Sequence, residues 1–360
     1  MKVQLFYAAR IVIVTFIFSA LVMFLMRKVA VHINAMDMPT NAEGNRHIHK
    51  KAMPKLGGLG IFLGFLFGYM LFGEQSIRMN SILIGSFIVV LMGIVDDLNP
   101  VKAKYRFLVH IVAASVIVFY GGILLDNITA FGFNFNFGIL AYPLTIFFIV
   151  ACTDIIDLID GLAGLSGGIC SIFYLTIAII GFFQGRAGSL VMILTLIMLG
   201  STLGFLMHNF HPAKIFAGDC VTFMGFIIAV ITLLEFKGPA LISFFVPITI
   251  LGIPILDTLF AIIRRLLKGQ PPFQADKQHL HHQLLGMNFS QTTTVLIIYA
   301  INILFAAAAI FFTIIDQKIG QVLFVIIFII VLWFVMHTTI ISDKTPKRTE
   351  KFLEKIKLKK

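Results

Sequence analysis

Hydrophobic residues along this chain fall into long blocks separated by short polar breaks, at 6–27, 57–73, 81–96, 107–125, 139–158, 165–183, 190–208, 220–236, 240–263, 294–315 and 321–341. Most blocks approach the ~20 residues that an α-helix needs to cross ~30 Å of hydrocarbon. Within lipid, only helices and closed barrels satisfy every backbone N–H and C=O. The pattern therefore predicts an all-α polytopic membrane helical bundle of about eleven transmembrane helices. The first block has no small-residue cleavage pattern ahead of the long polar loop that follows it, and reads as an anchor and not a removable signal. One connection has a different period. PheGlyPheAsnPheAsnPhe at 131–137 alternates aromatic with small or polar residues, which predicts a short hairpin lying on the outer lipid headgroups.

Composition enforces the membrane reading, since 59% hydrophobic residues, 12% charged residues and a mean hydropathy of +0.99 exclude a soluble domain. Charge then sets the orientation. Of the 28 Lys and Arg, 22 fall on the side of the loop after the first block, which puts that side in the cytoplasm, the N-terminus out and the C-terminus in. Topology absorbs most of the net charge of +11, so no nucleic-acid partner is needed to explain it. Residues 1–342 read as an integral membrane domain and 343–360 as a basic cytoplasmic tail. In that tail Phe352, Leu353 and Ile356 among lysines predict an amphipathic helix on anionic membrane lipid. Cys152, Cys170 and Cys220 show no metal-ligand spacing, and no disulfide is expected.

The carboxylates are sorted. Eight of the seventeen, Asp96, Asp97, Asp154, Asp157, Asp160, Asp219, Asp257 and Asp276, lie at cytoplasmic block ends or just beyond them. A carboxylate at the centre of a span costs up to ~3 kcal/mol, and the outer side has no comparable set, so the sorting points to a shared cavity at the inner face. In ThrAspIleIleAspLeuIleAspGly, residues 153–161, the acids stand at i, i+3 and i+6 and share one helix face ahead of a glycine-rich stretch. Each acid taken singly reads better as a solvated helix end, and only the eight together argue against that.

Carboxylates that repel one another need positive charge among them. Arg and Lys serve, and so does a hard divalent cation such as Mg2+, with Mn2+ as a substitute, which takes one or two carboxylates and completes its shell with water and phosphate oxygens. Lys104, together with Asn209, Lys214 and Asp219 of the 209–219 loop, supplies further groups for a phosphate-bearing ligand. His279, His281 and His282 suit an anion clamp over a diphosphate better than zinc, because adjacent imidazoles rarely bind one metal. A polar surface loop is the plainer alternative. His32, His110 and His337 read as satisfied interfacial or core histidines without a role.

At these residues the chain resembles the polyprenyl-phosphate N-acetylhexosamine-1-phosphate transferases, with the phospho-N-acetylmuramoyl-pentapeptide transferases as more distant relatives. The resemblance runs from AspMetPro at 37–39 and HisLysLysAlaMetProLysLeuGlyGly at 49–58, through ValAspAsp at 95–97 and AsnPheHisProAlaLysIlePhe at 209–216. It continues in IleProIleLeuAspThrLeuPheAlaIleIleArgArg at 253–265 and AlaAspLysGlnHisLeuHisHis at 275–282. It implies transfer of a sugar-1-phosphate from a UDP-N-acetylhexosamine to undecaprenyl phosphate at a bacterial cytoplasmic membrane, with Mg2+ required and UMP released. A homodimer is compatible with it.

By the same resemblance Asp96 and Asp97 are the catalytic pair, Asp219 the metal ligand, and Asp160, Asn209, His279, His281 and His282 substrate-binding residues. Lys104, Asp154, Asp157 and Lys214 join the substrate-binding set. The departures are local. Asp154 and Asp157 stand where the family usually has Asn, Ala163 stands where it has Asp, and GlyAspCysValThr at 218–222 stands where it has GlyAspThrGlySer. These changes leave open either a retuned pocket or a catalytically silent paralogue that binds polyprenyl phosphate or an assembly partner. A third reading, a secondary transporter, expects acids near the bilayer midplane on broken helices, whereas these gather at one surface.

Overall fold

The computed structural model describes residues 2–38, 52–130, 133–186, 188–235, 251–267 and 280–336. The basic tail, His279, Asp276 and His337 lie outside the described residues. Twelve helices are described: α1 (Lys2–His32), α2 (Gly57–Phe72), α3 (Ile77–Leu98), α4 (Ala103–Ser115), α5 (Ala141–Ile159), α6 (Leu165–Phe183), α7 (Leu190–Asn209), α8 (Thr222–Glu235), α9 (Gly252–Leu267), α10 (Leu280–Gly286), α11 (Gln291–Ile310) and α12 (Gln317–Met336). Each of the eleven hydrophobic blocks overlaps one of them, and the short α10 is additional. Among the described residues seven helical stretches are long and apolar enough to cross a membrane unaided, while α2 and the Gln317–Trp333 part of α12 are apolar but shorter. The protein is a polytopic all-α membrane protein. The aromatic connection between α4 and α5 forms an antiparallel hairpin of β3 (Asn127–Ala130) and β4 (Phe133–Asn136), with Asn127 opposite Asn136, after a first strand pair β1 (Met36–Asp37) and β2 (Met53–Pro54).

Serine side chains start three of the helices. Ser76, Ser189 and Ser290 accept the backbone N–H of Met79, Met192 and Thr293, satisfying donors that the first turns of α3, α7 and α11 would otherwise leave free. Packing between helices relies on small residues, as expected where lipid removes the hydrophobic drive for helix association. On α7 the GlySerThrLeuGly run at 200–204 lies directly on α1: a Cβ at Gly200 would sit 2.5 Å from the Val12 carbonyl oxygen, and one at Gly204 2.7 Å from that of Phe16. Ser19 donates to the Ser201 carbonyl at 2.8 Å across the same seam. Gly200→Leu should force α1 and α7 apart at a cost of about 2–3 kcal/mol. The check is a lowered thermal midpoint of the detergent-solubilised protein with its helical circular dichroism retained below the transition.

Short links join α3 to α4 and α5 to α6, and contacts of Arg106 and Asn209 tie these ends to the loop before α8 and to the end of α7. The C-terminal ends of α3, α5 and α7 and the N-terminal ends of α4, α6 and α8 therefore meet at one end of the bundle. There the segment before α2 is stitched to the loop before α8: Phe216 N–H donates to Pro54 O at 2.8 Å, and Gly57 and Gly58 donate to Phe216 O and Ala217 O at 2.9 and 2.8 Å.

Candidate functional site

The turn carrying Asp219 is sunk between two helices. A Cβ at Gly58 of α2 or Gly93 of α3 would lie 2.5 or 2.7 Å from the backbone of Cys220, so only hydrogen at those positions lets the 3-10 turn Asp219–Val221 enter. The residue before it, Gly218, has φ of +70°, and a Cβ there would meet Asp97 Oδ2 at 2.4 Å. This close approach lets Asp219 N–H donate to Asp97 Oδ1 at 3.0 Å. Among the described residues the buried Asp97 Oδ2 has no hydrogen-bond partner.

Beside this pair stands Arg106, one turn into α4. Its Nη1 lies 2.6 Å from Asp96 Oδ2 and 2.9 Å from Asp219 Oδ1, and its Nη2 lies 3.1 Å from Asp157 Oδ2. The other oxygen of Asp96 accepts Val101 N–H at 2.6 Å, closing the link between α3 and α4. One turn further along α4, His110 Nδ1 is 2.8 Å from Asp154 Oδ1. Residues 106 and 110 on α4 thus match 157 and 154 on α5 in an antiparallel ladder. Asp160, the last of the three acids, accepts the hydroxyl of Ser166. Each carboxylate of the 153–161 stretch has a separate partner.

The electrostatics follow from this crowding. Burial and the neighbouring Asp96 push the Asp219 carboxyl above its usual range, against the pull of Arg106 and Lys55. Burial raises Asp160 to about 6, the Ser166 hydroxyl opposing and the Asp219 charge adding. A cation entering such a cluster relieves the repulsion that burial has amplified.

The glycine-rich turn after α5 is held by an amide and a phenol. Asn209, buried at the end of α7, accepts Gly164 N–H at 2.7 Å and donates to Ile215 O at 2.9 Å, while Tyr299 of α11 donates to Gly164 O. The histidine segment docks on the same turn. A Cβ at Gly161 would be 2.4 Å from His281 Nε2, the His281 and His282 rings lie 4.3 Å apart, and Asp257 of α9 accepts Leu280 N–H at 2.7 Å to hold the start of α10.

The structure therefore gathers Asp96, Asp97, Asp157 and Asp219 around Arg106, sets Asp154 on the adjoining rung, and brings Asp160 and His281 to one turn. Lys104 is exposed, its Nζ 4.9 Å over the Tyr105 ring. Two residues along a helix turn a side chain by about 200°, so Arg106 and not Lys104 enters the cluster. Lys214 is exposed on the loop before α8. Arg106, His110 and Lys55 are the groups that sequence reasoning did not place here. The available signal was the spacing of Arg106 and His110 by four on a helix facing acids spaced by three.

Among the described residues no three His, Cys, Asp or Glu side chains converge on one cation position. Asp97 and Asp219 nevertheless fit Mg2+, which needs one or two carboxylates where phosphate and water complete its shell, and the unpartnered Asp97 Oδ2 is an oxygen of that kind.

The description Glycosyl transferase family 4 matches residues 79–235, from α3 through α8, the region that holds every acid of this cluster. A probable undecaprenyl-phosphate N-acetylglucosaminyl 1-phosphate transferase of Bacillus subtilis (strain 168) is 40% identical over 350 residues, covering 95% of this chain and 94% of that protein. The chain belongs to glycosyl transferase family 4. Two further relatives are 31% identical over 301 residues. They are a decaprenyl-phosphate N-acetylglucosaminephosphotransferase of Mycobacterium leprae (strain TN), covering 74% of this chain and 76% of its own, and an undecaprenyl-phosphate alpha-N-acetylglucosaminyl 1-phosphate transferase of Salmonella typhi, covering 80% of each. As a family 4 member the protein is a transferase, and its acids, arginine and glycine-rich turn form the candidate active site.

Proposed function

We propose that this family 4 transferase moves a sugar-1-phosphate, first of all N-acetylglucosamine-1-phosphate, from its UDP-sugar to undecaprenyl phosphate at the inner face of the bacterial cytoplasmic membrane. The reaction would release UMP and start a cell-wall or surface polysaccharide. The observation that carries this reading is the Asp97–Asp219 pair, with its unpartnered buried oxygen, at one end of a bundle of lipid-spanning helices. Acids gathered at one end also weigh against transport, which needs them near the midplane.

In the step itself an oxygen of the lipid phosphate attacks the β-phosphorus of the UDP-sugar. The bond from that phosphorus to the bridging oxygen breaks, and the bridging oxygen leaves on UMP. A phosphate monoester is largely dianionic at neutral pH, so the protein need supply no strong base. Asp97 and Asp219 would hold Mg2+, whose contribution when bound is to neutralise charge on the diphosphate. Asp96, tied to Val101 N–H and Arg106, keeps α3 and α4 in place around that pair. His281, packed against Gly161, lines the side where the glycine-rich turn offers close backbone approach.

Purified protein given undecaprenyl phosphate, Mg2+ and labelled UDP-N-acetylglucosamine should yield labelled lipid and one UMP per transfer. Absence of UMP with each of several UDP-sugars, beside an active family member, would leave the silent binder as the better reading. Asp97→Asn retains an acceptor for Asp219 N–H while it removes the charge and replaces the second oxygen with an NH2 donor. It should lower kcat about 100-fold with nucleotide-sugar Kd within about threefold. Equal loss in both would assign Asp97 a structural duty.

The ladder between α4 and α5 favours a retuned pocket over decay, because Asp154 and Asp157 each face a nitrogen donor. Returning the family pattern with Asp154→Asn, Asp157→Asn and Ala163→Asp should therefore reduce transfer, by about tenfold, as paired charges are lost. Higher activity in that triple variant would mean decay instead.

A further inference from the structure

Arg106 occupies the cluster as a cation would. One nitrogen, Nη1, is shared between Asp96 at 2.6 Å and Asp219 at 2.9 Å, and the other, Nη2, reaches Asp157 at 3.1 Å. The guanidinium thus bridges three helix ends and spends one hydrogen bond on an oxygen of the carboxylate assigned to the metal. The oxygen of Asp97 closest to Gly218 has no hydrogen-bond partner among the described residues. A divalent ion held by Asp97 and Asp219 meets a site already half neutralised.

We propose that Arg106 is a resident counter-cation and a positioning residue: it holds Asp96, Asp157 and Asp219 together in the free protein and competes with the divalent ion for Asp219. The inference rests on the reading of Asp97 and Asp219 as the cation-holding pair. Asp157 has a defined part in it, because its contact with Nη2 keeps the guanidinium at the edge of the site once Nη1 gives up Asp219. A carboxylate does this more firmly than an amide, since guanidinium has only donors and a neutral amide oxygen accepts from it but attracts it more weakly. The arrangement gives the acid at 157 a purpose.

Competition predicts a gain. Loss of a structural support weakens ligand binding, whereas loss of a competing charge strengthens it. Mn2+ binding to the full-length detergent-solubilised protein, without sugar or lipid substrate, should be measured by the paramagnetic signal of the free ion. The thermal midpoint should be recorded with and without Mn2+. Arg106→Gln should bind Mn2+ about tenfold more tightly than the unaltered protein and show a larger Mn2+-induced rise in midpoint, while its kcat for transfer falls. Arg106→Lys keeps a charge but cannot bridge three carboxylates with one ammonium. It should bind about threefold more tightly and serves as the second variant should Gln prevent folding. Equal or weaker binding in the folded variants overturns the role of Arg106 while leaving the cation site standing. An unaltered protein that binds no Mn2+ removes the Asp97–Asp219 site itself, and this inference with it.

Discussion

Asp219→Asn is expected to reduce Mg2+-dependent transfer by about 10³-fold or more while the protein remains folded. The backbone of this turn is fixed by features the substitution leaves alone: Gly58 and Gly93 pressed against Cys220, the Asp219 N–H donating to Asp97, and the Thr222 hydroxyl donating to the Asp219 carbonyl at 2.7 Å. An asparagine oxygen also still accepts from Arg106, so the surrounding acids keep their places. The charge and one acceptor oxygen disappear, and with them half of a two-carboxylate cation site. Loss of one electrostatic stabiliser in a water-poor site costs roughly 3–4 kcal/mol of transition-state energy, which corresponds to 10²–10³ in rate, and loss of bound cation adds to it. UMP release at saturating substrates gives the rate, and the thermal midpoint in the absence of divalent ions reports the fold. Near-normal turnover would remove Asp219 from the reaction.

The spans and the acids were legible because both obey one-dimensional rules. Hydrophobic runs long enough for lipid mark helices whatever they pack against, and carboxylates at the ends of such runs are costly enough to be informative singly and together. The 131–137 alternation likewise pointed to the strand pair now seen from Asn127 to Asn136. What stayed hidden was partnership. Arg106 and His110 lie some fifty residues from Asp157 and Asp154, and the charge count that set the topology treats Lys102, Lys104 and Arg106 alike. Only the phase of α4, fixed by where that helix starts, decides that Arg106 faces the acids and Lys104 the surface.

Asn209 illustrates the same limit from the other side. The resemblance assigns it to substrate binding, and in the structure both ends of its amide are committed to backbone, joining Gly164 to Ile215. It shapes the glycine-rich turn on which His281 also rests. Small residues carry comparable information that sequence hides, because a glycine in a membrane helix has the same appearance whether it faces lipid, a neighbouring helix or a catalytic turn. Gly58, Gly93 and Gly161 acquire meaning only from Cys220 and His281 opposite them.

Gly218→Ala is the second large effect, and it follows from space and not charge. The backbone at 218 has φ of +70° and ψ of −172°, a region essentially confined to glycine, which an L side chain adopts at a cost of about 1–3 kcal/mol. A methyl group there would also stand 2.4 Å from Asp97 Oδ2 and 2.5 Å from Oδ1, so the carboxylate must turn away or the turn must lift. Either movement breaks the Asp219 N–H to Asp97 contact and separates the two carboxylates that the proposed cation requires. Transfer should fall about 100-fold or more, with a small loss of thermal stability, although alanine adds no charge and removes none. Mn2+ binding should weaken in parallel with the rate, because the same pair is pulled apart. A Gly218→Ala protein that transfers sugar-phosphate at the normal rate would show that Asp97 and Asp219 need not stay in contact, and the two-carboxylate site would have to be abandoned.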